Sequence, residues 1–134
     1  ANIGLIRAGE WDAVTADISA VTTVAGKKKI PVKVILETSY LTLDEIKRAT
    51  ECVVSGRAQF AKTSTGFAEH GATEEAVRAM LDVAGGRIDV KPSGGIRNRE
   101  SAEFYIKLGA ARIGNGYSST PAICGDAAES TEAY

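Results

Sequence analysis

The stretch "AQFAKTSTGFAEHGATEEAVRAML" at residues 58–81 joins a short apolar segment, a loop of small residues and an amphipathic helical pattern. The apolar segment at residues 58–64 predicts a short buried strand. Thr73 predicts the start of a helix, because its hydroxyl can accept a hydrogen bond from a free backbone N–H. Glu74 and Glu75 follow it, where negative charge suits the helix dipole. The stretch therefore predicts one βα unit.

Similar units occur on both sides of this stretch. Further strands are predicted at residues 31–36, 87–91 and 111–114. Thr42 and Glu45 have the spacing of a capping box at the start of one helix, and Asn98 is a predicted N-cap of another. With a helical pattern before the first strand, the predicted order is α-β-α-β-α-β-α-β. Strands separated by single helices imply right-handed crossovers and a parallel sheet, so the predicted fold class is α/β.

The spacing of these units fits two parallel architectures. One is an open, doubly wound sheet, and the other is part of a (β/α)₈ barrel. A complete barrel needs about 250 residues, and four predicted strands cannot close one. From the spacing alone, both architectures stay open.

Composition limits the kinds of partner. The 134 residues are 44% hydrophobic and 25% charged, which is ordinary for one globular domain. We expect this domain at residues 1–125, followed by a polar C-terminal tail at residues 126–134.

The formal net charge of −1 and the scattered basic residues do not favour nucleic acid as a partner. No stretch reaches the apolar length of a membrane span. Cys52 and Cys124 lie far apart, which predicts neither a zinc site nor a disulfide framework and favours a reducing cytoplasm.

Polar and small residues cluster where three of the predicted strands end, in "AKTSTG" (61–66), "KPSGG" (91–95) and "RIGNG" (112–116). In both parallel architectures ligands bind at the carboxyl ends of the strands. The simpler interpretation is that these residues only make tight turns between strand and helix.

Lys62 and Lys91 fall late in two apolar strands, where a buried ammonium group is costly. Each could extend its charged end to water or form an ion pair. Two lysines on neighbouring strands also allow another interpretation, since burial and a nearby cation both lower the pKa of an amine. One lysine could then be neutral near pH 7 and attack a carbonyl group to form a Schiff base.

The glycine-rich segments at residues 93–95 and 114–116 offer backbone N–H groups that suit a phosphate. In (β/α)₈ barrels the phosphate site is frequently formed by the loops after strands 7 and 8, so the four predicted strands would be strands 5–8. Neither segment has the dinucleotide-binding or P-loop pattern, so nicotinamide cofactors and ATP are not expected.

Five segments together resemble the deoxyribose-phosphate aldolase family. They are "VKVILET" (32–38), "FAKTSTGF" (60–67), "HGATEEAVRAM" (70–80), "VKPSGGIR" (90–97) and "LGAARIG" (108–114). The resemblance implies the second half of a (β/α)₈ barrel and a metal-independent lyase without a cofactor. Such an enzyme reversibly cleaves 2-deoxyribose 5-phosphate into glyceraldehyde 3-phosphate and acetaldehyde.

The resemblance also implies roles for individual residues. Lys62 matches the lysine that forms the Schiff base, and Lys91 matches the lysine that keeps the pKa of the first one low. Tyr134 matches a final tyrosine that assists proton transfer in some members. Positions implied to contact the substrate or its phosphate are Lys33, Thr65, Gly66, Gly94, Gly95, Gly114 and Gly116. Glu37 matches a polar residue that lines the site, whereas His70 is expected to be a solvated loop residue.

The family's usual Asp late in its fourth strand would lie upstream of Ala1, so the resemblance implies incomplete acid–base machinery and impaired activity. A half-barrel leaves strand edges and apolar helix faces uncovered. We therefore expect either a homodimer or a missing N-terminal half, with a small sugar phosphate as ligand and no nucleic acid or membrane partner. Two alternatives to catalysis stay open, a phosphate-binding fold without turnover and an oligomerisation module.

Overall fold

The sheet consists of three parallel strands. The computed structural model describes residues 1–125, and the predicted tail with Tyr134 lies outside the described residues. The strands are β1 (Lys33–Ile35), β2 (Phe60–Lys62) and β3 (Asp89–Lys91). Their spatial order is β1-β2-β3, which is also their order in the chain. This sequential order fits a (β/α)₈ barrel, and the strands on one side of the switch point of a doubly wound sheet share it.

Helices connect the strands as the sequence predicted. They are α1 (Ile3–Arg7), α2 (Trp11–Gly26), α3 (Leu43–Ser55), α4 (Glu74–Ala84), α5 (Arg99–Leu108) and α6 (Thr120–Cys124), with 3₁₀ turns at Thr38–Tyr40 and Tyr117–Ser119. The predicted capping box is confirmed, since the Thr42 backbone N–H donates to the Glu45 carboxylate at 2.7 Å and the Glu45 N–H donates to the Thr42 hydroxyl at 3.3 Å. Thr73 and Asn98 also cap their helices.

The predicted fourth strand at residues 111–114 is reduced to a single bridge. Gly114 pairs with Ser93 in parallel, and the Gly114 N–H donates to the Pro92 carbonyl at 2.8 Å. The prediction of a full strand was wrong because the segment has little apolar surface to bury. Ala111 and Arg112 are exposed, and Ile113 is only partly buried. The segment therefore follows β3 without extending the sheet.

The register of the strands sorts their side chains onto two faces. Val34, Ala61 and Val90 stand side by side in the three strands and are buried against the helices. Successive side chains of a strand point to opposite faces, so the residues on either side of these three point away from the helices. Lys62 and Lys91 are therefore placed on the face that the helices of the described residues do not cover.

The helical side of the sheet holds the hydrophobic core. Its fully buried side chains include Leu36, Val53, Val77 and Met80, and α3 packs against both α2 and α4. Within residues 1–125, none of the helices has the length and apolar character needed to cross a membrane.

Replacing Met80 by Ala tests this core. Met80 has no exposed surface, so Met80→Ala leaves a cavity and should lower the free energy of unfolding by about 2–5 kcal/mol. Asp82→Ala, at an exposed position on the same helix, should change it by less than about 0.5 kcal/mol. Urea denaturation followed by circular dichroism measures both values. Equal stability of the two variants would contradict the burial of Met80 in the core.

Candidate active site

A cleft of about 420 Å³ opens at the carboxyl ends of β2 and β3. Its walls come from the loops after these strands and from the segment around the second 3₁₀ turn. Predicted site residues that line it are Lys62, Thr65, Gly66, Lys91, Gly94, Gly95, Gly114 and Gly116. Lys33 does not line the cleft, and Tyr134 lies outside the described residues. The structure thus brings together most of the residues that the sequence singled out, while their roles stay predictions.

Lys62 and Lys91 are neighbours because they are in register across β2 and β3. Burial lowers the pKa of Lys62 below the ordinary value of a lysine, and the charge of Lys33 lowers it further. The carboxylate of Glu37 acts in the opposite direction and raises it. At a given pH, more of Lys62 is therefore in the free amine form than for a lysine on the surface.

The pKa of Lys91 is lowered mainly by burial. Smaller contributions come from the charges of Lys33, Lys62 and Arg112 and from a hydrogen bond with the Lys33 side chain. Since two neighbouring ammonium groups repel each other, a site with three lysines favours the loss of a proton. The cleft therefore carries two amines that lose their protons more readily than a lysine on the surface.

Lys33 has a position that the sequence did not reveal. The resemblance places it among the substrate contacts, yet in the structure it acts on the pKa of both other lysines. Its amine lies 5.8 Å from the centre of the Phe60 ring, and the guanidinium of Arg112 lies 4.3 Å from the same centre. An aromatic face attracts cations, so Phe60 helps to keep positive charge beside the cleft.

Thr63 connects the two lysine strands and was not predicted as a site residue. Its hydroxyl donates to the Ser93 carbonyl at 3.1 Å and accepts from the Ser93 N–H at 3.0 Å. Its own N–H donates to the Lys91 carbonyl at 3.2 Å. The only signal in the sequence is a small hydroxyl residue directly after Lys62. These bonds fix the loop after β3 relative to β2.

Two glycines are required by close contacts around the cleft. A Cβ on Gly71 would lie 2.2 Å from the backbone of Gly94, and one on Gly114 would lie 2.4 Å from the Ser93 hydroxyl and 3.1 Å from the Lys91 side chain. No side chain fits at such distances. Because the Gly114 N–H already donates to Pro92, Gly114 contributes space to the cleft rather than a hydrogen-bond donor.

Thr65 lines the cleft, but its donors are directed to Glu37. Its backbone N–H donates to both carboxylate oxygens of Glu37 at 3.2 Å, and its hydroxyl donates to one of them. The hydroxyl also accepts from the Phe67 N–H at 3.2 Å. A phosphate near Thr65 would therefore need other donors, and the phosphate contact predicted for Thr65 stays a prediction.

His70 lies outside the cleft. His70 is exposed, and its Nδ1 lies 3.2 Å from the Gly71 carbonyl oxygen. Among residues 1–125, no group of three or more His, Cys, Asp and Glu side chains is placed to hold a metal ion.

Sequential parallel strands, with helices on one face and a polar cleft at their carboxyl ends, define a chain of the (β/α)₈ barrel class. The deoxyribose-phosphate aldolase of Deinococcus radiodurans is 47% identical over 113 residues, which are 84% of this chain and 50% of that protein. Deoxyribose-phosphate aldolase 1 of Cutibacterium acnes is 48% identical over 113 residues, 84% of this chain and 51% of its own. Over most of its length the chain is therefore similar to the C-terminal half of deoxyribose-phosphate aldolases.

Solved structures agree with this relationship. The aldolase QR15 has a TM-score of 0.78 at 42% identity, with 84% of this chain and 50% of that chain covered. The tetrameric deoxyribose phosphate aldolase of Aeropyrum pernix has a TM-score of 0.77 at 28% identity, covering 86% and 49%. No protein-family model matches the chain. The chain spans about half the length of the curated relatives that it matches.

Replacing Lys33 by Met tests the electrostatics of the cleft. Removing this cation should raise the pKa of both Lys62 and Lys91, so that their amines lose their protons at a higher pH than in the unchanged protein. NMR titration of ¹³C-labelled lysine side chains measures both midpoints. Lys47→Met, which removes the same charge from an exposed position on α3, should leave them in place. Midpoints that do not respond to Lys33→Met would contradict an electrostatic effect of Lys33 on the two amines.

Proposed function

We propose that the chain is the catalytic half of an enzyme that reversibly cleaves 2-deoxyribose 5-phosphate into glyceraldehyde 3-phosphate and acetaldehyde. The observation that supports this most is the in-register pair Lys62 and Lys91 at a cleft with glycine-rich walls. The names of the relatives agree with this substrate. Burial and the neighbouring Lys33 cation lower the pKa of Lys62 and thereby favour the free amine that the reaction needs.

In the proposed reaction the Lys62 amine adds to the C1 aldehyde of the sugar, and loss of water leaves an iminium ion. A base takes the proton of the C3 hydroxyl, the C2–C3 bond breaks, and its electron pair moves through C2 to the iminium nitrogen. Glyceraldehyde 3-phosphate leaves, and the remaining enamine takes a proton at C2. Hydrolysis then releases acetaldehyde and restores Lys62. Lys91 is our candidate for moving protons, because its lowered pKa allows an amine to accept them.

The phosphate of the substrate fits the glycine-rich side of the cleft. Gly94 and Gly95 have positive φ angles, and with Gly66 and Gly116 they line the wall without side chains that would keep a phosphate away from the backbone. Arg97 also lines this cleft. The proposal therefore places the phosphate between the loops after β3 and the segment at residues 114–119, with C1 of the sugar toward Lys62.

Two finer points belong to the same proposal. The free cysteines Cys52 and Cys124 support a reducing cytoplasm as the location. The predicted help of Tyr134 in proton transfer stays part of the hypothesis.

We also propose that the chain self-associates as a homodimer. Strand β1 is at the edge of the sheet, and next to it a groove of about 310 Å³ lies between β1 and α2. On and beside α2, the apolar side chains of Val21, Val24 and Ile30 are each more than half exposed. An open strand edge beside apolar surface favours pairing with another chain. We propose that a second copy of the chain covers this surface. One solved relative is described as tetrameric.

Borohydride trapping tests the catalytic proposal. The chain is incubated with acetaldehyde and sodium borohydride, and the expected product is one ethyl group on Lys62, located by peptide mass spectrometry. Lys62→Met should remove this adduct, while Lys47→Met should retain it. If the unchanged chain forms no adduct but still binds inorganic phosphate, a phosphate-binding fold without turnover replaces the catalytic proposal. The same assay on a chain extended upstream shows whether further strands change the yield.

Sedimentation equilibrium tests the homodimer. Val24→Asp places a charge in the exposed apolar surface of α2 and should shift a dimer at micromolar concentration toward the monomer. Thr23→Asp adds the same charge at an adjacent exposed position, so it controls for the effect of charge on the helix itself. A compact monomer formed by the unchanged chain would contradict the proposal.

A further inference from the structure

Glu37 has an unusual position for a charged residue. It lies two residues after the end of β1, its side chain is buried, and only 7% of its surface is exposed. Its backbone is in the left-handed region, with φ at 44° and ψ at 64°. Residues other than glycine adopt this conformation rarely, and they retain it only where surrounding contacts hold them there. A buried carboxylate likewise requires hydrogen-bond donors.

The donors come from Thr65, in the loop that follows the strand carrying Lys62. Both carboxylate oxygens of Glu37 accept from the Thr65 N–H at 3.2 Å, and one also accepts from the Thr65 hydroxyl. The backbone on each side of Glu37 also forms hydrogen bonds with this part of the chain. The Leu36 N–H donates to the Lys62 carbonyl at 2.9 Å, and the Thr38 N–H donates to the Thr63 carbonyl at 2.9 Å. The segment at residues 62–65 is thus held to residues 36–38 at three successive points.

Glu37 does not have the geometry of a catalytic base. Both its oxygens face Thr65, and it is not among the residues that line the cleft. Charge-assisted hydrogen bonds from a backbone N–H and a hydroxyl are strong, so they fix the direction in which the chain leaves β2. Lys62 is the last residue of β2, three residues before Thr65.

We propose that Glu37 is a positioning residue for Lys62, whose carboxylate fixes the segment at residues 62–65 and thereby the entry of the Lys62 amine into the cleft. The contribution of this positioning to catalysis rests on the function proposed above. The charge of Glu37 has a second effect, since it opposes the burial and the Lys33 cation that lower the pKa of Lys62. Glu37 therefore acts on both the placement of the amine and, to a smaller extent than burial does, its pKa.

The matched variants are Glu37→Gln, which keeps the shape and removes the charge, and Thr65→Val, which removes only the hydroxyl. Hydrogen exchange of the residue 65 amide and the NMR titration midpoint of Lys62 are measured in the full chain. In Glu37→Gln we expect exchange at residue 65 to be about tenfold faster, because a neutral amide oxygen accepts a weaker hydrogen bond than the carboxylate does. The Lys62 midpoint should move to lower pH, because the carboxylate that raises its pKa is gone.

Thr65→Val separates the effect of the hydrogen bonds at Thr65 from the effect of the Glu37 charge on Lys62. Exchange at residue 65 should become faster, while the Lys62 midpoint should not move to lower pH, since the carboxylate remains. Glu51→Gln, which removes an exposed carboxylate that pairs with Arg87 far from the cleft, should change neither measurement. If Glu37→Gln does not fold, unchanged exchange at residue 65 in Thr65→Val overturns the inference.

Unchanged exchange and an unchanged midpoint in folded Glu37→Gln also overturn it. Borohydride trapping on the same samples distinguishes this failure from that of the proposed function. If the unchanged chain gives no adduct while exchange and midpoint respond as expected, catalysis fails and the positioning of Lys62 by Glu37 stands. If the adduct forms and Glu37→Gln changes neither measurement, only the positioning role fails.

Discussion

The in-register pairing of three short parallel strands determines where every other feature of the molecule lies. Because Val34, Ala61 and Val90 stand side by side against the helices, the alternating side chains of the same strands must point to the opposite face. A shift of one residue in any strand would bury a lysine in the core. The hydrophobic free energy that forms the core therefore also places Lys62 and Lys91 together, and no separate interaction is needed to bring them to one cleft.

The walls of the cleft form where the loops after β2 and β3 and the segment around Gly114 pack closely against each other. Gly71 against Gly94, and Gly114 against Ser93, lie at distances where a Cβ would clash. Thr63 connects the loop after β3 to β2 through hydrogen bonds in both directions with Ser93. Small residues after a strand thus serve packing first, and a wall of exposed backbone for an anion follows from that packing. The two interpretations offered by the sequence, tight turns and phosphate contacts, are compatible in this structure.

Local signals in the sequence were enough for most of the fold. Thr42, Thr73 and Asn98 cap helices because capping depends on residues three positions apart, which a sequence shows directly. The segment at residues 111–114 was overestimated because its pairing depends on how much apolar surface its neighbours leave to cover, which is not a local property. The contact between Glu37 and Thr65 could not be read from the sequence for the same reason. It joins residues 28 positions apart. It also depends on the left-handed backbone of Glu37, a conformation that a glutamate in the sequence does not predict.

The same distinction between local and distant signals applies to the charges of the cleft. The sequence identified two lysines by their unusual place in apolar strands, but it did not show that a residue of a third strand adds to the effect of burial on the pKa of both. Lys33 lies on β1 beside both amines, and Glu37 follows two residues after β1 ends. One lowers the pKa of Lys62 and the other raises it, so β1 carries opposing electrostatic effects on the amine that β2 presents. A strand that contributes no residue to the wall of the cleft thus modifies how readily its lysine loses a proton, in addition to the larger effect of burial.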